Sequence, residues 1–203
     1  LARKENSSVE EYRDSILVIE RQAKRLSTLN NKLLAMTRLD QSTNKLSTEN
    51  ANFSELTSIV CSEISSLNQK NIRLHTNIEE GIFAAFDVSL MARLVQNLVE
   101  NAYKYSNDGD EITVTLVRDG SNLLLKVSDT GIGMTAAQLT HIWERFWQAD
   151  PSRSDNEQGS GLGLAMVKQI ANMHGGVLSV SSKFGTGSEF TYSMPCLAPD
   201  FIS

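Results

Sequence analysis

Residues 96–106 read Gln-Asn-Leu-Val-Glu-Asn-Ala-Tyr-Lys-Tyr-Ser. Asn97, Asn101, Lys104 and Tyr105 follow one another at steps of four, three and one, so on a helix they share one side. Leu90, Leu94, Leu98 and Ala102 recur every four residues and form its apolar side. Asp87 or Ser89 can cap such a helix, which then runs to about Tyr105. An amide oxygen is a hard ligand suited to Mg²⁺, an ion that keeps most of its waters and leans on phosphate oxygens. A lysine one turn on can meet those phosphates as a point charge. Taken by itself, the same stripe reads equally well as a solvated polar face.

Three further segments carry chemistry. Asp129-Thr-Gly-Ile-Gly-Met134 directly follows a strand. A carboxylate there can accept a hydrogen bond from an amine such as the exocyclic group of adenine, and the glycines let backbone approach a ring. A tight turn explains Asp-Thr-Gly just as well. Gly159-Ser-Gly-Leu-Gly-Leu164 opens a helix, and glycine-freed amides at a helix N-terminus make an anion site. The dinucleotide fingerprint needs G-x-G-x-x-G after a strand. Here the spacing is G-x-G-x-G after a polar loop, which rejects that reading. Gly185-Thr-Gly-Ser188 is by itself a hairpin turn entering a last strand.

Around these segments the chain orders itself. Residues 7–39 predict one long helix, with Ser7 or Ser8 opening a capping box. Tyr12, Ile16, Ile19, Ala23, Leu26, Leu29, Leu33, Met36 and Leu39 form a coiled-coil-like seam that needs a partner helix. Residues 41–52 read as a polar linker, placing a domain boundary there. Asn52-x-x-Glu55 caps a second helix with Leu56, Ile59, Val60, Ile64 and Leu67 on its apolar face. Strands are expected at 72–78 and 81–86, paired at 112–117 and 123–127 around Asp119-Gly120, and again at 177–182 and 188–194. A mostly helical segment follows Met134 as far as Phe146-Trp147. A further helix runs from Leu164 to His174 and ends at Gly175-Gly176. Residues 196–203 form a tail.

The composition sets outer bounds. With 203 residues, 40% hydrophobic and 21% charged, the chain is an ordinary globular one with room for one full domain and a smaller piece. A net charge of −5 offers no basic surface for nucleic acid. Every apolar run is far short of the ~18 residues of a membrane span, so no membrane contact is expected. Cys61 and Cys196 belong to no CxxC pair and read as free thiols of a reducing cytosol. His75, His141 and His174 are scattered and read as structural. The first residue is not Met, and the chain reads as a piece of a longer protein.

In this order and at these separations, the four segments resemble the N, G1, F and G2 boxes of the Bergerat-type ATP-binding fold of sensor histidine kinases, over roughly residues 53–195. Ile142-Trp-Glu-Arg-Phe-Trp147 is similar to the F box, and Met36-Thr-Arg-Leu-Asp40 to the end of the second dimerisation-hairpin helix. The resemblance implies an α+β fold: a two-layer α/β sandwich preceded by the long N-terminal coiled-coil-like helix (1–40), with a linker at 41–52 and the catalytic domain at 53–195. It implies ATP and Mg²⁺ as cofactors. Asn101 would hold the Mg²⁺, with Asn97 and Lys104 supporting the phosphates and Tyr105 lining the nucleotide. Asp129 would read the adenine amine, with Gly131 and Gly133 giving backbone access. Gly159, Gly161, Gly163 and the amide of Leu164 would wrap the phosphates under a mobile lid from about 134 to 163, from which Arg153 reaches them. Ser188 would lie near the adenine.

The resemblance further implies two-component phosphorelay signalling in the cytoplasm, on a parent that membranes can anchor. It implies homodimerisation through the N-terminal helix and a response-regulator receiver domain as partner. Related ATPases that hydrolyse ATP carry a water-activating glutamate where Asn97 stands, and an amide is no general base. That favours transfer to a better nucleophile. The sequence departs from the family by lacking a phosphoacceptor motif such as Ser-His-Glu-Leu-Arg, which is expected on a helix upstream of Leu1. The competing readings are a nucleotide-dependent interaction module (a degenerate kinase) and a serine protein kinase of the same fold. The hairpin-like helix argues against the serine kinase.

Overall fold

The computed structural model describes residues 9–40, 46–68, 70–149 and 160–198. The chain divides into two compact units, 1–42 and 43–203. The first contains helix α1 (Val9–Asp40). Tyr12, Ile16, Ile19, Leu26 and Leu33 of its seam are exposed. Polar groups along it are satisfied locally: Lys24 Nζ meets Glu20 at 2.7 Å, and the hydroxyls of Ser15, Thr28 and Thr37 donate to carbonyls one turn back. The expected capping residues Ser7 and Ser8 lie outside the described residues, as do 41–45 of the linker and 199–203 of the tail.

The second unit runs β1 (Glu49–Asn52), α2 (Phe53–Leu67), β2 (Arg73–Ile78), β3 (Phe83–Phe86), α3 (Val88–Tyr105), β4 (Glu111–Asp119), β5 (Asn122–Asp129), α4 (Ala136–Leu139), α5 (Gly163–Met173), β6 (Val177–Lys183) and β7 (Gly187–Pro195). Five strands form a mixed sheet in the order β2-β4-β5-β7-β6, parallel only between β2 and β4. Strands β1 and β3 make a separate antiparallel ribbon.

Alternation decides which face of the sheet is covered. Ile112, Val114 and Leu116 on β4, Leu123, Leu125 and Val127 on β5, and Phe190, Tyr192 and Met194 on β7 are all buried. Residues one step out of phase, such as Thr113, Thr115, Lys126 and Thr191, keep contact with solvent. The buried columns meet the apolar sides of α3 (Met91, Leu94, Val95, Leu98, Val99) and α5 (Met166, Val167, Ile170). The result is two layers, helices on one face of the sheet. Among the described residues no helix is long and apolar enough to cross a membrane.

Local chemistry places the helix starts where the sequence puts them. Asn52 accepts from the Glu55 amide at 3.1 Å and Asp87 from the Leu90 amide at 3.0 Å. At the end of α5, His174 bridges two elements. Its Nδ1 donates to Ile170 O and its Nε2 accepts from the Asp87 amide, so the ring ties the end of α5 to the start of α3.

Four expectations need correction. Residues 49–52 are not linker: they pair with β3 as a short, mostly polar strand with no buried residue, held by backbone bonds and therefore silent in the apolar pattern. The buried face of α2 is Phe53, Ser54, Thr57, Val60 and Cys61, whereas Ile59 and Leu67 are exposed. Polar residues enter that face because Ser54 Oγ donates to Glu79 O and accepts from the Ile82 amide. The stretch after Met134 is helical only over Ala136–Leu139. The amides of His141, Glu144 and Trp147 then reach back three residues, making a run of turns instead of an α-helix. On α3, Leu90 is half-buried, and the covered side follows Met91, Val95 and Val99 as well.

Candidate functional site

The register of the sheet aligns Ile112, Asp129, Ser188 and Ser182 side by side across β4, β5, β7 and β6. Residues directly opposite in antiparallel strands project on one face. These four are in phase with the buried columns, so at this end of the sheet the apolar layer gives way to a polar row, Asp129–Ser188–Ser182. Asp129 Oδ1 accepts from the Gly131 amide at 3.0 Å. Burial pushes the Asp129 carboxyl above its ordinary value. The amides of Gly131 and Ser188 pull the other way, and the charge of Asp110 adds to the rise.

The turn after Asp129 is locked by backbone contacts. A Cβ on Gly131 would lie 2.2 Å from Tyr105 O, and one on Gly133, which has a φ of +61°, would lie 2.0 Å from Lys183 O. No side chain fits either position. The Ile132 amide donates to Tyr105 O at 3.1 Å and the Gly185 amide to Ile132 O at 2.7 Å. The end of α3, the Asp129–Met134 turn and the Lys183–Ser188 hairpin therefore meet at a single point. Tyr105 belongs to this end of the site. Lys104 Nζ lies 3.2 Å from Tyr105 Oη and 4.7 Å from the ring centroid.

The other end forms where α3 meets α5. Asn97 Nδ2 donates to Arg93 O at 2.7 Å. Its Oδ1 lies 3.0 Å from where a Cβ on Gly163 would stand. Helix α5 starts at Gly163, and its N-cap, Leu162, supplies no side-chain bond, so Leu164 sits in an N-terminal turn without a side-chain cap beside Asn97. Just before it, Gly161 O accepts from the Phe146 amide at 2.9 Å. Phe146 (φ 65°) is the one non-glycine with a left-handed backbone among the described residues. Asn97 and Tyr105 are separated along α3 by about 12 Å of helix rise. Asn101 lies between them on the same side of α3, half-buried. Arg153 and Gly159 lie outside the described residues.

Among the described residues no group of three or more His, Cys, Asp or Glu could hold a metal ion. A cation at Asn101 would have one protein amide and would take its remaining oxygens from a phosphate-bearing substrate and water. That donor set fits Mg²⁺ and not a dedicated metal cage. The histidines are engaged elsewhere: His174 as described, His141 against Glu144 at 2.8 Å, and His75 4.0 Å from Glu111.

Residues 86–198 match the sequence profile of the family described as histidine kinase-, DNA gyrase B-, and HSP90-like ATPase. The chain belongs to this ATPase family. The sensor histidine kinase RppB of Synechocystis is 35% identical over 200 residues, which is 98% of this chain and 44% of that protein. The chain thus spans less than half the length of this curated relative. The solved mycobacterial sensor histidine kinase MprB is 27% identical with a TM-score of 0.64, covering 73% of this chain and 97% of that one. The crystal structure of full-length ShkA in complex with AMPPNP is 25% identical with a TM-score of 0.79, covering 96% of this chain and 41% of that one.

Two residues that hold this candidate site together carry no signal in the motifs above. Lys70 Nζ donates to the carbonyls of Tyr103, Lys104 and Ser106 at 3.1–3.3 Å, closing the C-terminus of α3. It stands more than thirty residues away in sequence, and no local pattern signals it. Ser182 Oγ accepts from the Met134 amide at 2.8 Å. Its signal was available, since it continues the inward phase of Leu178 and Val180.

Proposed function

We propose that this chain is the ATP-binding catalytic part of a sensor histidine kinase. Residues 9–40 are the second helix of a dimerisation hairpin, and the catalytic domain extends from β1 to the end of β7. The observation that carries the reading is the convergence of two sets of groups along one side of α3. An acceptor row for a purine amine stands at the Tyr105 end, and an uncapped helix N-terminus for phosphates stands at the Asn97 end. The AMPPNP complex of ShkA supports a nucleotide as the occupant.

Asp129 accepts from the adenine amine, its orientation fixed by the Gly131 amide. Tyr105 lines the base, with Lys104 beside it. Gly161, Gly163 and the Leu164 amide face the phosphates. Asn101 offers its amide oxygen to Mg²⁺, which when bound neutralises phosphate charge. Asn97 has no proton-accepting carboxylate, and its Nδ2 is spent on Arg93 O. The neighbouring Glu100 accepts from Gln96 Nε2 at 2.7 Å, away from that side of the helix. Among the described residues no carboxylate stands at this position to activate water, which supports transfer of the γ-phosphoryl group to a positioned nucleophile. That nucleophile is a histidine other than His75, His141 and His174. From it the group passes to an aspartate of a response-regulator receiver domain. The exposed seam of α1 is the homodimer contact, and the site works in the cytoplasm.

Titration with ATP tests the reading. Mg²⁺ should tighten binding to the parent chain, and Asn101→Ala should abolish that gain while the circular dichroism spectrum is kept. A variant that still gains as much affinity from Mg²⁺ as the parent does would remove Asn101 from the role.

A further inference from the structure

Resting on the nucleotide reading above, we infer that Ser182 is a specificity-determining residue. Through its own bonds it fixes the Ser188 hydroxyl as a hydrogen-bond acceptor toward the base, which selects a purine bearing an amine over one bearing a carbonyl.

A serine hydroxyl has one proton to give and two lone pairs to receive. Ser182 Oγ has three neighbours. It lies 2.8 Å from Gly187 O, 2.8 Å from the Met134 amide nitrogen and 3.0 Å from Ser188 Oγ. A carbonyl can only accept, so the Ser182 proton goes to Gly187. An amide can only donate, so Met134 occupies one Ser182 lone pair. The remaining lone pair faces Ser188 Oγ, and only a donor can satisfy it. The Ser188 proton is therefore directed at Ser182, away from Asp129. What Ser188 presents on its other side is lone pairs.

That matters because of where Ser188 stands. It is directly paired with Asp129 on one flank and Ser182 on the other, on the helix-covered face. Its backbone amide already faces the Asp129 carboxylate. Carboxylate and hydroxyl then form two adjacent acceptors. An exocyclic amine, with two protons, satisfies both directly or through one water. A carbonyl oxygen at the same ring position meets two acceptors and gains a hydrogen bond from neither. Ser182 touches no base. It acts by fixing which way its neighbour's proton points.

The experiment compares ATP and GTP affinities, each with Mg²⁺, for the parent chain, Ser182→Ala and Ser182→Thr. In Ser182→Ala the Ser188 proton is released and can turn toward a carbonyl. The preference for ATP over GTP should fall by about tenfold, the size expected for one exchanged hydrogen bond. Part of that fall should come from tighter GTP binding. Ser182→Thr keeps one proton and two lone pairs and should keep the parent's preference. A parallel loss of both affinities in Ser182→Ala would mark Ser182 as merely structural and overturn the inference, as would an unchanged ratio. If the parent chain binds neither nucleotide, the nucleotide reading itself falls and takes this inference with it. If it binds ATP, only the role of Ser182 is at stake.

Discussion

Lys70→Met removes an ammonium and keeps an unbranched stem, so it removes the cap on α3. The last carbonyls of a helix have no partner within it and need one from outside. Here Tyr105 O takes the Ile132 amide, and Lys70 Nζ takes the carbonyls of Tyr103, Lys104 and Ser106. Hydrogen bonds from a charged donor contribute about 1.5–3 kcal/mol net, and a cation at a helix C-terminus adds about 0.3–1 kcal/mol. Ordering the lysine chain offsets part of this, leaving a loss of about 2 kcal/mol. For a domain of this size 1 kcal/mol corresponds to roughly 2–4 °C, so Tm should fall by about 4–8 °C. Because Lys104 and Tyr105 ride on that turn, ATP affinity should weaken several-fold at temperatures where the variant is fully folded. Thermal unfolding by circular dichroism and an ATP titration read the two effects. A Tm within 1 °C of the parent would show that the three contacts contribute nothing, and the capping argument would be wrong.

Two alanine substitutions at glycine should differ in sign. Gly131→Ala places a methyl 2.2 Å from the Tyr105 carbonyl, so backbone must part and about 3 kcal/mol should be lost, read as a lower urea midpoint. Gly163→Ala gains helix propensity, up to about 1 kcal/mol, while crowding Asn97 Oδ1 at 3.0 Å. Stability should hold or rise as ATP affinity drops, and a variant with full affinity would contradict the placement of Asn97. Asp129→Asn tests the cost of a buried charge. Burial raises the folded-state pKa of Asp129 above its ordinary 3.8, so the carboxyl's contribution to stability is full below that value and lost as pH rises through the folded pKa. The variant should therefore gain Tm relative to the parent as pH climbs through that window, and keep the gain at pH 7 while losing ATP. A Tm difference independent of pH would contradict the sign.

The site was legible where a residue's chemistry coincides with a local pattern. Asp129 ends a strand, and Asn97, Asn101, Lys104 and Tyr105 share a helix side, so spacing alone suffices to group them. The caps at Asn52 and Asp87 are legible for the same reason. The failures share a cause too. Strand β1 is polar and held by a ladder to β3, and α2 buries Ser54 and Thr57 because their hydroxyls find backbone partners. The ladder and the Ser54 bond depend on a neighbour distant in sequence, whereas Thr57 Oγ1 donates within its own helix to Phe53 O. The turns after Leu139 depend on Phe146 reaching Gly161 O. Lys70 and Ser182 act through contacts across the fold, and periodicity carries no information about a partner thirty-odd or forty-eight residues away.

The most direct test is amide chemical-shift mapping of the chain on addition of ATP and Mg²⁺. Perturbed amides should cluster at Asn101, Tyr105, Gly131, Leu164 and Ser188, with those near Asn101 and Leu164 depending on Mg²⁺ and those near Asp129 following the base. Shifts confined to the open face of the sheet, around Thr113, Thr115 and Thr191, or to α1, would place the ligand elsewhere and contradict a single pocket along α3.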